Sequence, residues 1–116
     1  MNWQYIAGFF DGEGCIMYGM GQNSISITQK RNKVLYDIQK FLFGNDLQSH
    51  VYTTKSTGVS RLYISKTADT VRFLEGIFPY LIVKKVEAQD MLRNCKLYPS
   101  RSNRSGKHTW KLYENN

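Results

Sequence analysis

The chain has no long hydrophobic run and very few cysteines. No apolar stretch in its 116 residues approaches the ~20 residues that a membrane-spanning helix requires. Its two cysteines, Cys15 and Cys95, are too few for a disulfide framework and lack the spacing of metal ligands. The sequence therefore predicts neither a membrane helix nor a disulfide-stapled scaffold, and it favours a reducing compartment.

No signal-peptide pattern precedes Trp3, and a start at Met1 leaves no room for a transit peptide. We therefore expect the protein to act where it is made. The compartments that fit are intracellular: the cytoplasm of a bacterial or phage host, or an organelle matrix.

Acidic residues are also scarce, and they are unevenly distributed. The chain carries 9 Asp and Glu residues against 16 Lys and Arg residues, a net charge of +7. Residues 14–36 and 47–68 contain no acid, although each range contains lysine and arginine. Charge segregated in this way predicts a surface that binds phosphate groups.

The rest of the composition is that of one folded domain. Hydrophobic residues make up 41% of the chain and aromatic residues 14%, which is enough for a core. Residues 99–116 are rich in Ser, Arg and Asn. We expect a domain over residues 1–98 and a basic C-terminal tail over residues 99–116.

Hydrophobic periodicity predicts an α+β fold with the element order αββαββαα. Residues 2–11, 32–44, 67–78 and 84–97 have helical spacing, and residues 15–30 and 47–66 have the pattern of two hairpins. The two hairpins can form one four-stranded antiparallel sheet with the helices on one face. Its other face would be free of acids and suited to lie in a DNA major groove.

Local signals set the predicted boundaries of these elements. Gly12 and Gly14 are expected to stop the first helix, and Asn23 is expected to lie in the turn of the first hairpin. Thr67 is the expected N-cap of the third helix.

Two carboxylates lie at the end of the first helix, in the stretch IAGFFDGEGCI (residues 6–16). Asp11 and Glu13 would be in its last turn or just beyond it. Helix carbonyls make that end partly negative, so a positive partner is expected there.

The segment Ile6–Gly14 resembles the LAGLIDADG motif, and the element order resembles that of the LAGLIDADG homing endonucleases. Residues 27–30 (ITQK), 79–85 (PYLIVKK) and 86–92 (VEAQDML) are similar to further family segments. The similarity extends over roughly residues 3–97. Ile6 replaces the first Leu of the motif, Glu13 replaces its second Asp, and the first hairpin is short.

The resemblance implies a site-specific, intron-encoded DNA endonuclease with a saddle-shaped sheet. A chain with one motif resembles the homodimeric members, which bind a long pseudo-palindromic duplex. They hydrolyse both strands and leave short 3′ overhangs. Mg²⁺ is the implied cofactor, and Mn²⁺ or Ca²⁺ can also occupy such a site. The implied partners are double-stranded DNA and a second copy of the chain, with no membrane.

The resemblance also implies roles for four polar residues. Glu13 would be a catalytic, metal-binding carboxylate, and Mg²⁺ would supply the positive charge missing from its helix end. Gln29 would orient water, whereas Lys84 and Lys33 would stabilise charge at the phosphate. The alternatives are a solvated acid at Glu13, a strand-end Gln at Gln29, a helix-start Lys at Lys33 and a snorkelling Lys at Lys84. Lys85 replaces Lys84 if the register slips by one.

The remaining implied positions fall into two groups. At the dimer interface, small residues would let two first helices approach closely, with Asp11 turned toward backbone at the helix ends: Ala7, Gly8, Asp11 and Gly12. Strand alternation and charge nominate the residues that would face or contact DNA: Met17, Ser24, Ser26, Thr28, Lys30, His50, Tyr52, Thr54, Lys55, Arg61, Tyr63, Lys66, Arg101, Arg104, Lys107 and Lys111. Arg61 is the best candidate for bidentate contact with guanine.

Two other functions and one other organisation of the chain fit the same pattern. The fold also occurs in RNA maturases that assist intron splicing and in DNA-binding modules that do not cut. The chain is alternatively a fragment of a two-motif monomer. The joint presence of Glu13, Gln29 and Lys84 favours the nuclease.

Overall fold

Four α-helices and four β-strands make up the computed structural model, which describes residues 1–19 and 22–97. In chain order they are α1 (Trp3–Glu13), β1 (Gly14–Gly19), β2 (Gln22–Gln29), α2 (Lys33–Phe43), β3 (His50–Thr53), β4 (Ser60–Ile64), α3 (Thr67–Ile77) and α4 (Lys85–Leu97), with a 3₁₀ turn at Phe78–Tyr80 between α3 and α4. The predicted order αββαββαα is confirmed. The expected tail, residues 99–116, lies outside the described residues.

The strands form one antiparallel sheet in the order β1-β2-β4-β3. Ile25 of β2 pairs with Ile16 of β1 and with Ile64 of β4. Ile27 pairs with Leu62 in the next row of the same face. Alternation therefore gives the sheet one apolar face, which packs under the helices, and leaves the opposite face open.

Aromatic rings connect the helices above the sheet. The ring centroids of Phe10 and Phe73 are 5.5 Å apart, and those of Trp3 and Phe41 are 5.2 Å apart, both edge to face. Phe10 and Phe73 are fully buried. These contacts join α1 to α3 and α2, and so fix the position of α1 over the sheet.

The first helix begins as predicted but ends later. Asn2 caps it by accepting a hydrogen bond from the Tyr5 backbone N–H (2.8 Å). The expectation that Gly12 stops the helix is wrong, because α1 continues through Gly12 to Glu13 and ends at Gly14. A glycine inside a helix costs only about 1 kcal/mol relative to alanine, which tertiary contacts of the last turn offset.

Two other local predictions are also wrong. Thr67 is the first residue of α3 rather than its cap, and Lys66 at the cap position makes no side-chain bond. Asn23 lies in β2 rather than in the turn. Its side-chain oxygen accepts from Asn94 (2.8 Å) and its carbonyl from the Thr70 hydroxyl (3.0 Å), so α3 and α4 hold it in the strand.

No helix within residues 1–19 and 22–97 combines the length and apolar character needed to cross a membrane.

Candidate active site and nucleic-acid interface

The end of α1 is joined to the start of α4 by two reciprocal contacts. The Asp11 carboxylate accepts hydrogen bonds from the backbone N–H groups of Ile82 (2.8 Å), Val83 (3.1 Å) and Lys84 (2.9 Å). In return, Lys84 donates from its ammonium to the Asp11 carbonyl (2.7 Å). The Asp11 side chain thus binds backbone near a helix end, as the resemblance implies.

These contacts change the ionisation of Asp11. Burial favours its neutral form, but the N–H groups of Ile82, Lys84 and Val83 and the charge of Lys84 together outweigh burial. They hold the pKa of Asp11 below its usual value. The positive partner expected at the end of α1 is therefore supplied for Asp11 by the chain itself.

Glu13 is left without such a partner. It is the last residue of α1, it is exposed, and its carboxylate makes no hydrogen bond or ion pair with any residue in the described part of the chain. Its carboxylate is available to a ligand at the edge of the open sheet face, since Gly14 begins β1 directly after it.

The neighbouring lysines of the segment Pro79–Lys85 have separate contacts. Lys84 is half-buried and reaches the last turn of α1. The ammonium of Lys85 lies 5.1 Å from the centroid of the Phe78 ring. Of the two alternatives, Lys84 is the lysine at the end of α1.

Gln29 and Lys33 lie on another side of α1. Both line a groove of roughly 390 Å³ between α1 and α2, here called the α1–α2 groove, whose walls include Met1, Tyr5, Phe9, Gln29, Lys33 and Val34. The Gln29 side-chain oxygen accepts from the Lys30 N–H (2.9 Å). Lys33 pairs with Asp37 (3.1 Å) at the surface. The structure brings these two residues together, but it gives neither of them a direct contact with Lys84.

Residues 1–19 and 22–97 of one chain do not contain a complete metal site. Within the described residues, no group of three or more His, Cys, Asp or Glu side chains is arranged to hold an ion. The free Glu13 carboxylate is a hard oxygen donor of the kind that Mg²⁺ prefers. The donor set therefore fits a divalent ion only if further oxygens come from outside the chain, such as phosphate groups or a second Glu13.

The exposed side of α1 contains the small residues expected at a dimer interface, with one exception. Gly8 and Gly12 are exposed, and a Cβ added to either would meet nothing within 4 Å. Ala7 is fully buried in the core of its own chain, so its predicted place at the interface is wrong. The Asp11 carboxylate is likewise engaged within the chain, by the backbone N–H groups of Ile82 and Lys84 just before α4.

The open face of the sheet consists of two main rows of side chains. Cys15, Ser26, Tyr63 and His50 lie in register across the four strands. Thr28, Arg61 and Tyr52 form the next row, and Met17 is opposite Ser24. None of these residues is acidic. The absence of acidic residues from these two rows agrees with the sequence-based prediction.

Exposure on this face differs from the prediction at two positions. Ser24 and Ser26 are only 1% and 3% exposed, so the expectation that they face DNA directly is wrong in this structure. Serine rises little above a sheet, and both residues lie on the inner strand β2. His50, Tyr52 and Arg61 are exposed, and Tyr63 is half-buried.

The other nominated residues lie at the margins or beyond the structure. Thr54 and Lys55 belong to the loop between β3 and β4, and Lys30 and Lys66 follow strand ends. All four are exposed. Arg101, Arg104, Lys107 and Lys111 lie outside the described residues.

The sequence-based prediction of the open face omits Cys15. Its thiol is free and exposed in the row with Ser26 and Tyr63, two residues after Glu13. Alternation with Met17 is the signal that identifies it, but this alternation is less regular in β1 than in β2.

Known proteins share both the sequence pattern and this geometry. A family model described as a LAGLIDADG-like domain matches residues 2–77. The homing endonuclease I-CvuI, solved with the I-CreI target in the presence of Mg and with uncleaved DNA, has 25% identity and a TM-score of 0.71 over 83% of this chain and 66% of that one. No match was found among curated proteins.

Two more distant structures share the fold. The LAGLIDADG meganuclease I-AabMI bound to uncleaved DNA has 20% identity and a TM-score of 0.68, over 84% of this chain and 37% of that one. The archaeal intron-encoded homing endonuclease I-Vdi141I complexed with DNA has 16% identity and a TM-score of 0.58, over 97% of this chain and 94% of that one.

The sheet, its helices and these neighbours define an α+β protein with the LAGLIDADG homing endonuclease fold. More particularly, the chain belongs to the LAGLIDADG-like family, since the family model covers most of its length.

Proposed function

We propose that the chain is a site-specific, double-strand DNA endonuclease that acts as a homodimer with a divalent metal ion. One observation carries the proposal. The exposed Glu13 carboxylate has no partner in the described part of the chain, and it lies where α1 enters a sheet with an acid-free open face. An unpaired acid beside a phosphate-binding surface would weaken DNA binding unless a cation joins the two.

The open face fits duplex DNA. A sheet with exposed Arg61, Tyr52 and His50 offers hydrogen-bonding groups for base edges in the major groove. Exposed Lys30, Lys55 and Lys66 at its margins suit phosphate contacts. The structures of I-CvuI and I-AabMI with DNA support this assignment.

The roles of the polar residues follow from their positions. Glu13 would hold Mg²⁺, which when bound supplies Lewis-acid stabilisation of the phosphate. Lys84, held 2.7 Å from the Asp11 carbonyl, would place positive charge beside that phosphate. Gln29 would orient the attacking water from the end of β2. Lys33, which is exposed and paired with Asp37, has the weakest structural support.

A homodimer supplies what one chain lacks. Each chain contributes one Glu13 and one open sheet, and the exposed Gly8 and Gly12 allow two α1 helices to approach closely. The resulting two-fold symmetry would match a pseudo-palindromic site. The chain spans 66% of the I-CvuI chain and only 37% of the I-AabMI chain.

Selection of cleaved duplexes from a randomised library with Mg²⁺ tests this proposal. We expect the natural chain to cleave a two-fold-symmetric site and Glu13→Gln to bind that site without cleaving it, because the amide is a neutral and poorer metal ligand. Glu75→Gln is the matched control, an exposed glutamate on α3, and should cleave normally.

The other outcomes discriminate between the rival functions. Full cleavage by Glu13→Gln would remove Glu13 from the active site. A site that is bound but never cut by the natural chain would identify a DNA-binding module. Preference for structured RNA over duplex in a competition titration would identify a maturase.

A further inference from the structure

A pocket at the edge of the sheet contains a buried hydroxyl group that has no partner. The pocket lies between α2 and the residues that lead into β3, and it is here called the α2–β3 pocket. Its walls include Tyr36, Gln39, Lys40, Phe43, Leu47 and Ser49. Ser49 is only 7% exposed, and its hydroxyl makes no hydrogen bond within the described residues. Because a buried polar atom without a partner destabilises a fold, this hydroxyl favours a ligand that reaches it.

Hydrogen bonds hold the floor of this pocket in place. The Gln39 side-chain amide donates to the Ser49 carbonyl (3.0 Å), and the Leu47 backbone N–H donates to the Leu42 carbonyl (3.0 Å). Since one wall belongs to α2 and β3 is an edge strand, the pocket lies at the helix side of the sheet. It is therefore separate from the open face and from the α1–α2 groove.

The rim of the pocket combines two aromatic rings with one positive charge. Tyr36 and Phe43 are 47% and 66% exposed, and Lys40 is exposed between them on the same face of α2. The two aromatic residues are two turns apart, about 10 Å along the helix axis, so each offers a separate stacking surface. None of the described lining residues is acidic. Aromatic rings that alternate with positive charge are typical of sites for single-stranded nucleic acid.

The size of the pocket limits what can enter it. Its volume of roughly 240 Å³ is below the ~300–1,000 Å³ of pockets that enclose a drug-sized ligand, so it suits one small group of a larger molecule. An aliphatic side chain would leave the Ser49 hydroxyl unpaired, and a carboxylate would make no use of the exposed rings. A nucleobase has both a planar face and a hydrogen-bonding edge, and its phosphate suits Lys40.

We infer that the α2–β3 pocket binds unpaired nucleotides of a DNA or RNA strand. Successive bases stack on Tyr36 and Phe43, and Lys40 binds the phosphate that links them. The edge of one base forms a hydrogen bond with the Ser49 hydroxyl. This inference goes beyond the proposed endonuclease and does not depend on it, because the duplex would occupy the open face and the unpaired strand the helix side.

Fluorescence anisotropy with dye-labelled tetranucleotides, one of thymidylate and one of uridylate, tests the inference. Excess unlabelled duplex DNA is added to occupy the open face, and we expect at least one tetranucleotide to stay bound. Phe43→Ala and Tyr36→Ala should each weaken this binding by about fivefold to a hundredfold, the usual effect of losing one base–aromatic stack. Tyr80→Ala is the matched control, an exposed aromatic residue between α3 and α4 (44% exposed), and should bind as the natural chain does.

Substitution of Ser49→Ala separates a binding role from a structural one. We expect binding of the tetranucleotide to weaken about twofold to tenfold, the usual effect of losing one hydrogen bond. The urea midpoint of the free chain should stay the same or rise, because the variant removes a buried hydroxyl that has no partner. A lower urea midpoint with unchanged binding would show that Ser49 serves only the fold, and would overturn its assignment to the ligand.

The remaining outcomes decide the inference as a whole. Complete displacement of both tetranucleotides by duplex, or unchanged binding by both Phe43→Ala and Tyr36→Ala, would overturn it. A natural chain that binds neither tetranucleotide would also overturn it. Each of these results leaves Glu13-dependent cleavage of duplex DNA untouched. Tighter binding of the uridylate would identify RNA as the source of the unpaired strand, and tighter binding of the thymidylate would identify DNA.

Discussion

At the scale of single residues, Asp11 and Glu13 share one helix end but serve different purposes. The Asp11 carboxylate accepts three backbone hydrogen bonds, and the Lys84 ammonium donates to the Asp11 carbonyl. The charge of Asp11 is therefore satisfied inside the chain. Glu13, two residues later, projects where no described residue meets it. Asp11 thus binds the backbone of its own chain, and the carboxylate of Glu13 stays available to a ligand.

The depressed pKa of Asp11 links stability to pH in a known direction. Because its folded pKa lies below its unfolded value of about 3.9, ionised Asp11 stabilises the fold at all higher pH. That contribution is lost as the pH falls through the folded pKa. We therefore expect acid to loosen the contact between α1 and α4.

Substitution of Asp11→Asn checks this link. The amide keeps the shape but loses the charge and one acceptor oxygen, so we expect a loss of about 1–3 kcal/mol at neutral pH. The difference in the free energy of unfolding between Asp11→Asn and the natural chain should narrow at a pH below the range in which Asp11 titrates, since the natural carboxyl is then also neutral. Urea unfolding at both pH values measures it. A difference that does not change with pH would show that the charge of Asp11 is not what stabilises the contact.

The identity of the site residues is more predictable from sequence than their partners. The motif resemblance nominates Glu13 and Lys84, and strand alternation nominates Arg61 and Tyr52. Neither signal reveals that Lys84 bonds the Asp11 carbonyl, because residues 73 positions apart in the sequence meet only through tertiary packing. The prediction of Ala7 at the surface fails because spacing alone cannot show which side of a short helix its own core covers.

At the scale of elements, the junction between α1 and β1 determines where Glu13 lies. Gly14 ends the helix and begins the strand, and a Cβ at this position would overlap the Phe10 ring. Its φ of −86° is available to any residue, so the requirement for glycine comes from packing. Phe10 is fully buried and packs edge to face on Phe73, which leaves its ring little room to move.

Substitution of Gly14→Ala should therefore destabilise the fold by about 1–3 kcal/mol, the usual cost of overpacking. Thermal or urea unfolding gives the change in the free energy of unfolding. The Phe10→Ala background is the control, because alanine lacks the Cγ, Cδ1 and Cε1 atoms that the added Cβ would meet. There, the cost of Gly14→Ala should shrink. Equal costs in both backgrounds would mean that Phe10 is not the obstacle.

The elements that sequence predicts well are those with strong periodicity. The alternation in residues 60–64 places Leu62 and Ile64 in the core and Arg61 outside, as the structure confirms. Predicted boundaries fail where tertiary contacts override local signals. Gly12 stays helical because hydrogen bonds between Asp11 and residues 82–84 hold the last turn of α1. Asn23 stays extended because Thr70 and Asn94 bind it.

At the scale of the whole molecule, the core carries two chemically different surfaces that adjoin where α1 runs into β1. The sheet face is polar and basic, whereas the strip along α1 is small and apolar, flanked by Ile82, Val83 and the α1–α2 groove. Glu13 lies where the two surfaces meet. In the proposed homodimer, pairing along α1 would align two open sheets into one longer surface for DNA.

A two-fold-symmetric complex makes a prediction that a single chain on DNA would not. Arg61 is exposed on the open face, in the row with Thr28 and Tyr52, where a guanidinium can bond guanine bidentately. Arg61→Ala should cost about 1–3 kcal/mol of binding free energy per guanine and relax base preference at two positions related by symmetry.

Lys66→Ala, at a margin suited to phosphate, should instead weaken binding to all DNA sequences alike. It should lower the salt dependence of log K by about 1 for each phosphate that the lysine neutralises. Fluorescence anisotropy on duplexes substituted one base at a time, repeated across salt concentrations, separates the two effects. Relaxed preference at only one position would contradict the two-fold arrangement, and no relaxation would mean that Arg61 binds phosphate instead of a base.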